Sequence, residues 1–297
     1  MASGKAAKKL KFRKITPYLF IAPFFVLYAI FGLYPLLYGV VMSLQDKASS
    51  FVGLANYQTV LTDQRFWKSI GNAALYTLGS VFIILPVALG AAVMLNSKLM
   101  GRKRGPMSTI FFVPSVTSVL VVGIVFKYIL KTNGGVLNEL LQAIGLTHAN
   151  IRFLNSPDWA VISLVIVGVW RYFGVNSLYF LSGLQGISSD LGEAARIDGA
   201  NGWQEFWRIK FPLLKPIMVY VVFTAITGSF AMFGEVYTLV GANSTGARDS
   251  MLYPVIYLYN TMFRDNRVNV AATMGYVLAV ILLIITSIQR YTMRDKD

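Results

Sequence analysis

Glu193-Ala194-Ala195-Arg196-Ile197-Asp198-Gly199-Ala200-Asn201-Gly202, continuing to Ile209-Lys210-Phe211-Pro212, is a polar interruption between two greasy segments. It reads as a short helix, a glycine turn, a second short helix and a proline stop. Asp190 or Ser189 is placed to cap the first helix, with Glu193 near capping-box spacing. Gly199 allows a turn at positive φ. Trp203, Phe206, Trp207 and Phe211 give the second helix an apolar face beside Gln204, Glu205 and Arg208. Exposed aromatics mixed with charge suit a protein–protein contact. The same pattern also fits an amphipathic helix lying on a membrane or packing on its own protein.

Outward from this stretch the chain reads as membrane. It has 297 residues, 56% of them hydrophobic, and a mean hydropathy of +0.59. Soluble domains are usually about 45–50% apolar. Several apolar runs exceed the ~18 residues that point to a transmembrane helix. The expected fold is all-α and polytopic, with about six spans at residues 18–44, 70–95, 108–130, 159–184, 213–240 and 268–288. One membrane domain over residues 17–291 lies between tails at 1–16 and 292–297. Pro23, Pro35, Pro86 and Pro114 fall inside these runs, where proline removes a backbone donor and kinks a helix. Residues 251–262 are too short and Tyr-rich to span, which suggests a re-entrant or interfacial helix. The first apolar run exceeds the 7–15 residues of a signal-peptide core and is read as a retained anchor.

The formal net charge of +14 does not indicate nucleic-acid binding, because the cations cluster in tails and loops that flank apolar runs. The N-tail, the connection carrying Lys98, Arg102, Lys103 and Arg104, the polar loop at residues 186–212 with the adjoining Lys215, and the C-tail together hold 17 of the 27 Lys and Arg. The opposite side holds Lys47, Arg65, Lys68, Arg152, Arg248, Arg264 and Arg267. Positive-inside bias therefore places both termini and the loop in the cytoplasm. There is no cysteine and His148 is the one histidine, so disulfides, thiolate catalysis and Cys/His metal sites are absent or nearly so. No phosphate-binding Gly-rich loop and no nucleophile–base set appear, so the chain should be neither an ATPase nor a membrane enzyme.

The loop resembles the EAA loop of permease subunits in ATP-binding-cassette importers: Glu-Ala-Ala, three residues, Gly, nine residues, Ile-x-Leu-Pro. Phe211 replaces the family Leu. Phe51-Val52-Gly53-Leu54-x-Asn56-Tyr57, Phe66-Trp67, Asn72 and Tyr76-Thr77 are similar to the segment before the second span in permeases of the maltose and glycerol-phosphate importer class. Ser182-Gly183-Leu184-Gln185-Gly186-Ile187 resembles that class's lead-in to the loop. The likeness runs from about Pro17 onward. It implies that Glu193, Ala194, Ala195, Asp198, Gly199, Ala200 and Asn201 couple the chain to a separate ATPase. It also implies a second permease, two ATP-binding subunits with their own ATP and Mg, an extracytoplasmic solute-binding protein, and a bacterial or archaeal cytoplasmic membrane. The chain itself would hold no cofactor or metal. The C-terminus lacks the Gly-rich tail of the second permease type, so the chain resembles the first.

Charge at membrane depth marks a second candidate site. Glu235 sits in the fifth expected span and Arg171 in the fourth, with Lys127 near the exterior end of the third. Such charges usually face a cavity or a partner. They therefore read either as the lining of a polar path or as a structural ion pair, and Lys127 as a side chain that snorkels outward. Asn176, Ser177, Tyr179, Phe233 and Tyr237 are the remaining path candidates. The implied function is ATP-driven import of a carbohydrate, an oligosaccharide or sugar derivative. The alternatives are a self-contained secondary transporter or channel, with Glu235 as its only intramembrane acid, and a non-transporting membrane scaffold.

Overall fold

The computed structural model describes residues 16–97, 99–241 and 245–293. The basic residues from Lys5 to Lys14, and Lys98, Arg294 and Lys296, lie outside this set. Among the described residues the elements are helical, apart from an isolated bridge between Gln45 and Phe51. Four helices are long and apolar enough to cross a membrane: α1 (Thr16–Ser43), α3 (Gln64–Asn96), α7 (Pro157–Gln185) and α13 (Val268–Met293). Shorter helices are α2 (Ala55–Thr62), α4 (Arg104–Val116), α5 (Val119–Ile129), α6 (Val136–Ala143), α8 (Ser189–Ile197), α10 (Lys215–Phe230), α11 (Gly234–Val240) and α12 (Pro254–Phe263). The last is α9 (Gly202–Leu213). Counting each of two bent pairs, α4 with α5 and α9 with α10, as one span brings the total to 6.

Two expected spans are not single helices. The third breaks at Thr117–Ser118, and its halves meet at 89°. The fifth ends as a helix at Phe230 and resumes at Gly234, so Glu235 lies in the first turn of a short helix rather than inside a continuous span. Free carbonyls at membrane depth need protein partners. At the α4–α5 break Arg171 supplies one, its Nη1 donating to Thr117 O at 3.1 Å.

The prolines act through widened turns. π-helical turns span Ala29–Leu33, Ser80–Ile84 and Phe206–Lys210, each followed two residues later by Pro35, Pro86 or Pro212. A proline ring clashes with the carbonyl four residues back. Here that carbonyl belongs to Phe31, Phe82 or Arg208, always within the π-turn. The helix continues by widening rather than stopping.

The chain divides into two compact units. In the first (residues 1–62 and 261–277), α1 meets the start of α13 through Asn269 Nδ2, which donates to Met42 O at 2.9 Å. Tyr276 OH also bonds Leu36 O, and a Cβ on Gly39 would lie 2.8 Å from that hydroxyl, so a side chain there would have to displace Tyr276. In the second (residues 63–260 and 278–297), Leu85, Ala88, Ala92 and Leu95 form an apolar stripe along α3. They pack with Phe180, Leu181 and Leu184 of α7 and with Leu214 and Val221. Gly174 of α7 lies so close to α4 that a Cβ there would sit 1.6 Å from Phe111 O. Small residues let membrane helices approach this closely.

Residues 251–262 are an internal element. Met251, Leu252 and Tyr253 are fully buried and lead into α12. Asn72 Nδ2 holds the turn before it, donating to Asp249 O and Leu252 O, both at 2.8 Å. Arg65 grips the Asp249 carboxylate through Nε at 2.8 Å and Nη2 at 2.9 Å.

Candidate functional site

The polar loop is built as two helices around one carboxylate. Ser188 caps α8, its Oγ accepting from Asp190 N at 3.3 Å, so the cap is one residue before Ser189 and Asp190. Glu193 is not part of a capping box; the box joins Asn201 and Gln204 at the start of α9 instead. Gly199 has φ +85°, and Ala200 N and Gly199 N return to Ala195 O (2.8 Å) and Arg196 O (3.1 Å). This is the double bond pattern of a Schellman ending.

Positions 189, 192 and 196 share the inner face of α8. Gly192 is buried there against Glu205, whose Oε1 would lie 2.8 Å from a Cβ at 192. Arg196 meets Glu205 Oε2 through Nε and Nη2, each at 3.0 Å, and Lys210 Nζ lies 2.6 Å from Oε1. Lys210, and then Arg196, hold the Glu205 carboxyl below the usual carboxylate range against the opposing effect of burial. The outer face carries Asp190, Ala194 and Ile197, with Glu193 at its edge, where it also lines the groove holding Gly192, Arg196 and Glu205; all four are exposed. Ile197 and Trp203 are 87% and 72% exposed, so bulky apolar surface stands among charges. Of the residues expected to couple, Glu193, Ala194, Asp198, Gly199 and Asn201 are exposed, and Ala195 and Ala200 are half-buried.

A second site lies inside the helical unit. A cavity of about 220 Å³ is lined by Tyr76 and Ser80 of α3, Tyr172, Asn176 and Tyr179 of α7, Thr224 and Ser229 of α10, and Glu235. Tyr172 donates to Glu235 Oε1 at 2.5 Å, and Arg171 Nε stands 3.6 Å from the same oxygen. Asn176 Nδ2 is spent on Tyr172 O at 2.8 Å. The Tyr179 and Tyr220 rings meet edge-on at 5.2 Å.

Glu235, Asn176 and Tyr179 line this cavity. Arg171 touches Glu235 from outside the lining, which makes the structural ion pair and the polar path two aspects of one place. Phe233 and Tyr237 do not line it; they stack on each other at 5.2 Å and pack with Tyr259. Ser177 is buried and bonds Gly174 O. Lys127 is exposed. Sequence reading missed Glu205, Tyr172, Tyr76, Ser80, Thr224 and Ser229. The one available signal was Glu205, an acid between Arg196 and Lys210 in a basic, aromatic stretch.

Residues 84–295 match the family model of the binding-protein-dependent transport system inner membrane component. The chain belongs to this family. The permease is similar to the arabinooligosaccharides transport system permease protein AraP of Bacillus subtilis, at 38% identity over 93% of this chain and 88% of that one. It is also similar to the lactose transport system permease protein LacF of Rhizobium radiobacter, at 32% identity over the full length of both. A chain of a bacterial ABC transporter involved in import of the acidic polysaccharide alginate shares the permease's fold, with a TM-score of 0.84, 23% identity and 98% coverage of each chain. As a member of this family the permease is a multi-pass inner membrane protein.

Proposed function

We propose that the permease forms half of the translocation path of an ATP-driven, binding-protein-dependent importer, and that its cargo is an oligosaccharide or sugar derivative. A second permease supplies the other half. Two ATP-binding subunits, which hold the ATP and Mg, dock on the loop at residues 186–212, and an extracytoplasmic solute-binding protein delivers the cargo. The termini and the loop face the cytoplasm, in keeping with the cationic bias. The permease performs no hydrolysis itself.

The observation that carries this reading is the outer face of α8. Glu193, Ala194, Asp198 and Gly199 are exposed beside Ile197 and Trp203, while the inner face is tied to Glu205. An exposed apolar patch rimmed by charge marks a contact surface. The sugar cargo rests on relatives named for arabinooligosaccharides and lactose. The cavity lining supports such a cargo, with tyrosine rings for sugar faces and Ser80 and Thr224 as hydrogen-bonding groups. A carrier driven by an ion gradient is disfavoured, because Glu235 is already engaged by Tyr172 and Arg171.

The test is purification of the tagged permease from its native membrane in mild detergent, followed by reconstitution and uptake of labelled oligosaccharides. Recovery of a second permease and an ATPase, with ATP-dependent uptake, is expected. The ATPase should be lost in Glu193→Lys or Gly199→Pro. A chain that purifies alone and transports on an ion gradient would overturn the reading.

A further inference from the structure

We infer that Glu205, set by the π-turn that Pro212 imposes, is a positioning residue for energy coupling: it locks α8 to α9 so that the outer face of α8 meets the ATPase in one orientation. The inference rests on the docking reading above.

The Glu205 side chain is only 4% exposed. A buried carboxylate is costly unless it is paired and hydrogen-bonded. Here both oxygens are used, each by a cation from a different part of the loop. Arg196 reaches Oε2 from α8, and Lys210 reaches Oε1 from the end of the π-turn. Gly192 completes the fit, since a side chain at that position would meet the carboxylate.

The pairing with Lys210 depends on helix geometry. Residues five apart stand roughly 140° apart around an α-helix of 3.6 residues per turn. They do not face one another; in such a helix the pairing partners are three or four apart. A π-turn bonds each residue to the fifth along and brings that residue overhead. Phe206–Lys210 is such a turn, and it puts Lys210 over Glu205. Pro212 requires the widening because its ring would otherwise strike the Arg208 carbonyl. The terminal proline thus has a role beyond ending the loop: it sets the register of the clamp. With the inner face of α8 tied at Gly192 and Arg196, its outer face, with Glu193, Ala194 and Ile197, is held outward as a rigid surface.

The test uses the whole importer reconstituted with its ATPase, partner permease and binding protein. It reads three quantities: ATPase recovered with the permease, ATP hydrolysed, and cargo transported. Glu205→Gln keeps the shape and removes the charge, and Pro212→Ala keeps the charges and allows an α-turn. Each is expected to lower cargo moved per ATP by about 5-fold or more, the low end of energetic coupling between sites, while ATPase is still recovered. The double variant should fall no further than the worse single one, because both break one clamp. Lys210→Arg should retain coupling, and Lys210→Met should lose it. That pair decides the matter if either of the first two variants fails to accumulate. Transport per ATP equal to the unmodified protein in Glu205→Gln, or equal loss in Lys210→Arg and Lys210→Met, would overturn the inference. Failure of the docking reading is separate: Glu193→Lys would then leave ATPase recovery unchanged.

Discussion

Arg171 and Glu235 stand 3.6 Å apart at the meeting point of two broken helices. The Arg171 guanidinium caps the carbonyl at the end of α4, and Glu235 occupies the first turn of α11. A cation at a helix C-terminus and an anion at an N-terminus both lie favourably in the helix dipoles. Tyr172 completes the group with its bond to Glu235. Broken helices and intramembrane charge are therefore one structural feature, with each charge compensating a cost created by the breaks.

Removing one partner from this group should be worse than removing both. Glu235→Ala leaves a buried guanidinium uncompensated and is expected to cost about 3–5 kcal/mol, whereas the Arg171→Met/Glu235→Leu double variant should cost less than either single change. Thermal unfolding of the purified permease in detergent measures this. Additive losses would show that the two charges do not interact.

The close approach of α4 and α7 depends on Gly174. Gly174→Val must push the Phe111 backbone away and is expected to destabilise by at least about 1–3 kcal/mol. Gly228→Ala is the control, because nothing lies within 4 Å of a Cβ there. Thermostability of the two variants side by side gives the comparison.

The loop should loosen in acid. The folded-state pKa of Glu205 is depressed by Lys210 and Arg196, so its contribution to stability is fully present above the unfolded value of about 4.3. That contribution is lost as pH falls through the lower folded value. Amide exchange over residues 189–211 should accelerate in that window once the intrinsic pH dependence is removed. Glu205→Gln should abolish the step.

Cavity residues should tune cargo affinity without affecting assembly. Thr224→Val and Ser80→Ala each remove a hydroxyl from the lining. Losing one hydrogen bond worth about 0.5–1.5 kcal/mol should weaken cargo affinity by roughly 2- to 12-fold. Uptake measured against cargo concentration reads this as a rise in half-saturation with ATPase recovery unchanged.

Much of the fold was legible in local pattern. Long apolar runs located α1, α3, α7 and α13, and Gly199 announced its positive φ because no other residue turns there cheaply. The exposed face of α8 was legible too, since Glu193 and Ile197 fall four residues apart, at helical spacing. Hydropathy could not show the breaks at Thr117 and after Phe230. The apolar character continues across each break, and a break is tolerated only if a distant group satisfies the freed backbone. That group is Arg171 at Thr117, 54 positions along the chain. The place of Phe233 and Tyr237 was hidden for the same kind of reason: they follow the break after Phe230, and they pack with Tyr259 rather than line this cavity.

The sequence by itself determined the character of each segment: apolar enough to enter a membrane, or polar and glycine-hinged. These properties arise from transfer free energy and backbone sterics within a few residues of chain. The tertiary structure decided which polar groups meet. Arg171 with Glu235, and Glu205 with Arg196 and Lys210, owe their pairing to helix breaks and a π-turn that bring specific atoms within 2.6–3.6 Å. Electrostatic and hydrogen-bond energies depend on those distances and on burial, and neither is encoded in the spacing of residues along the chain.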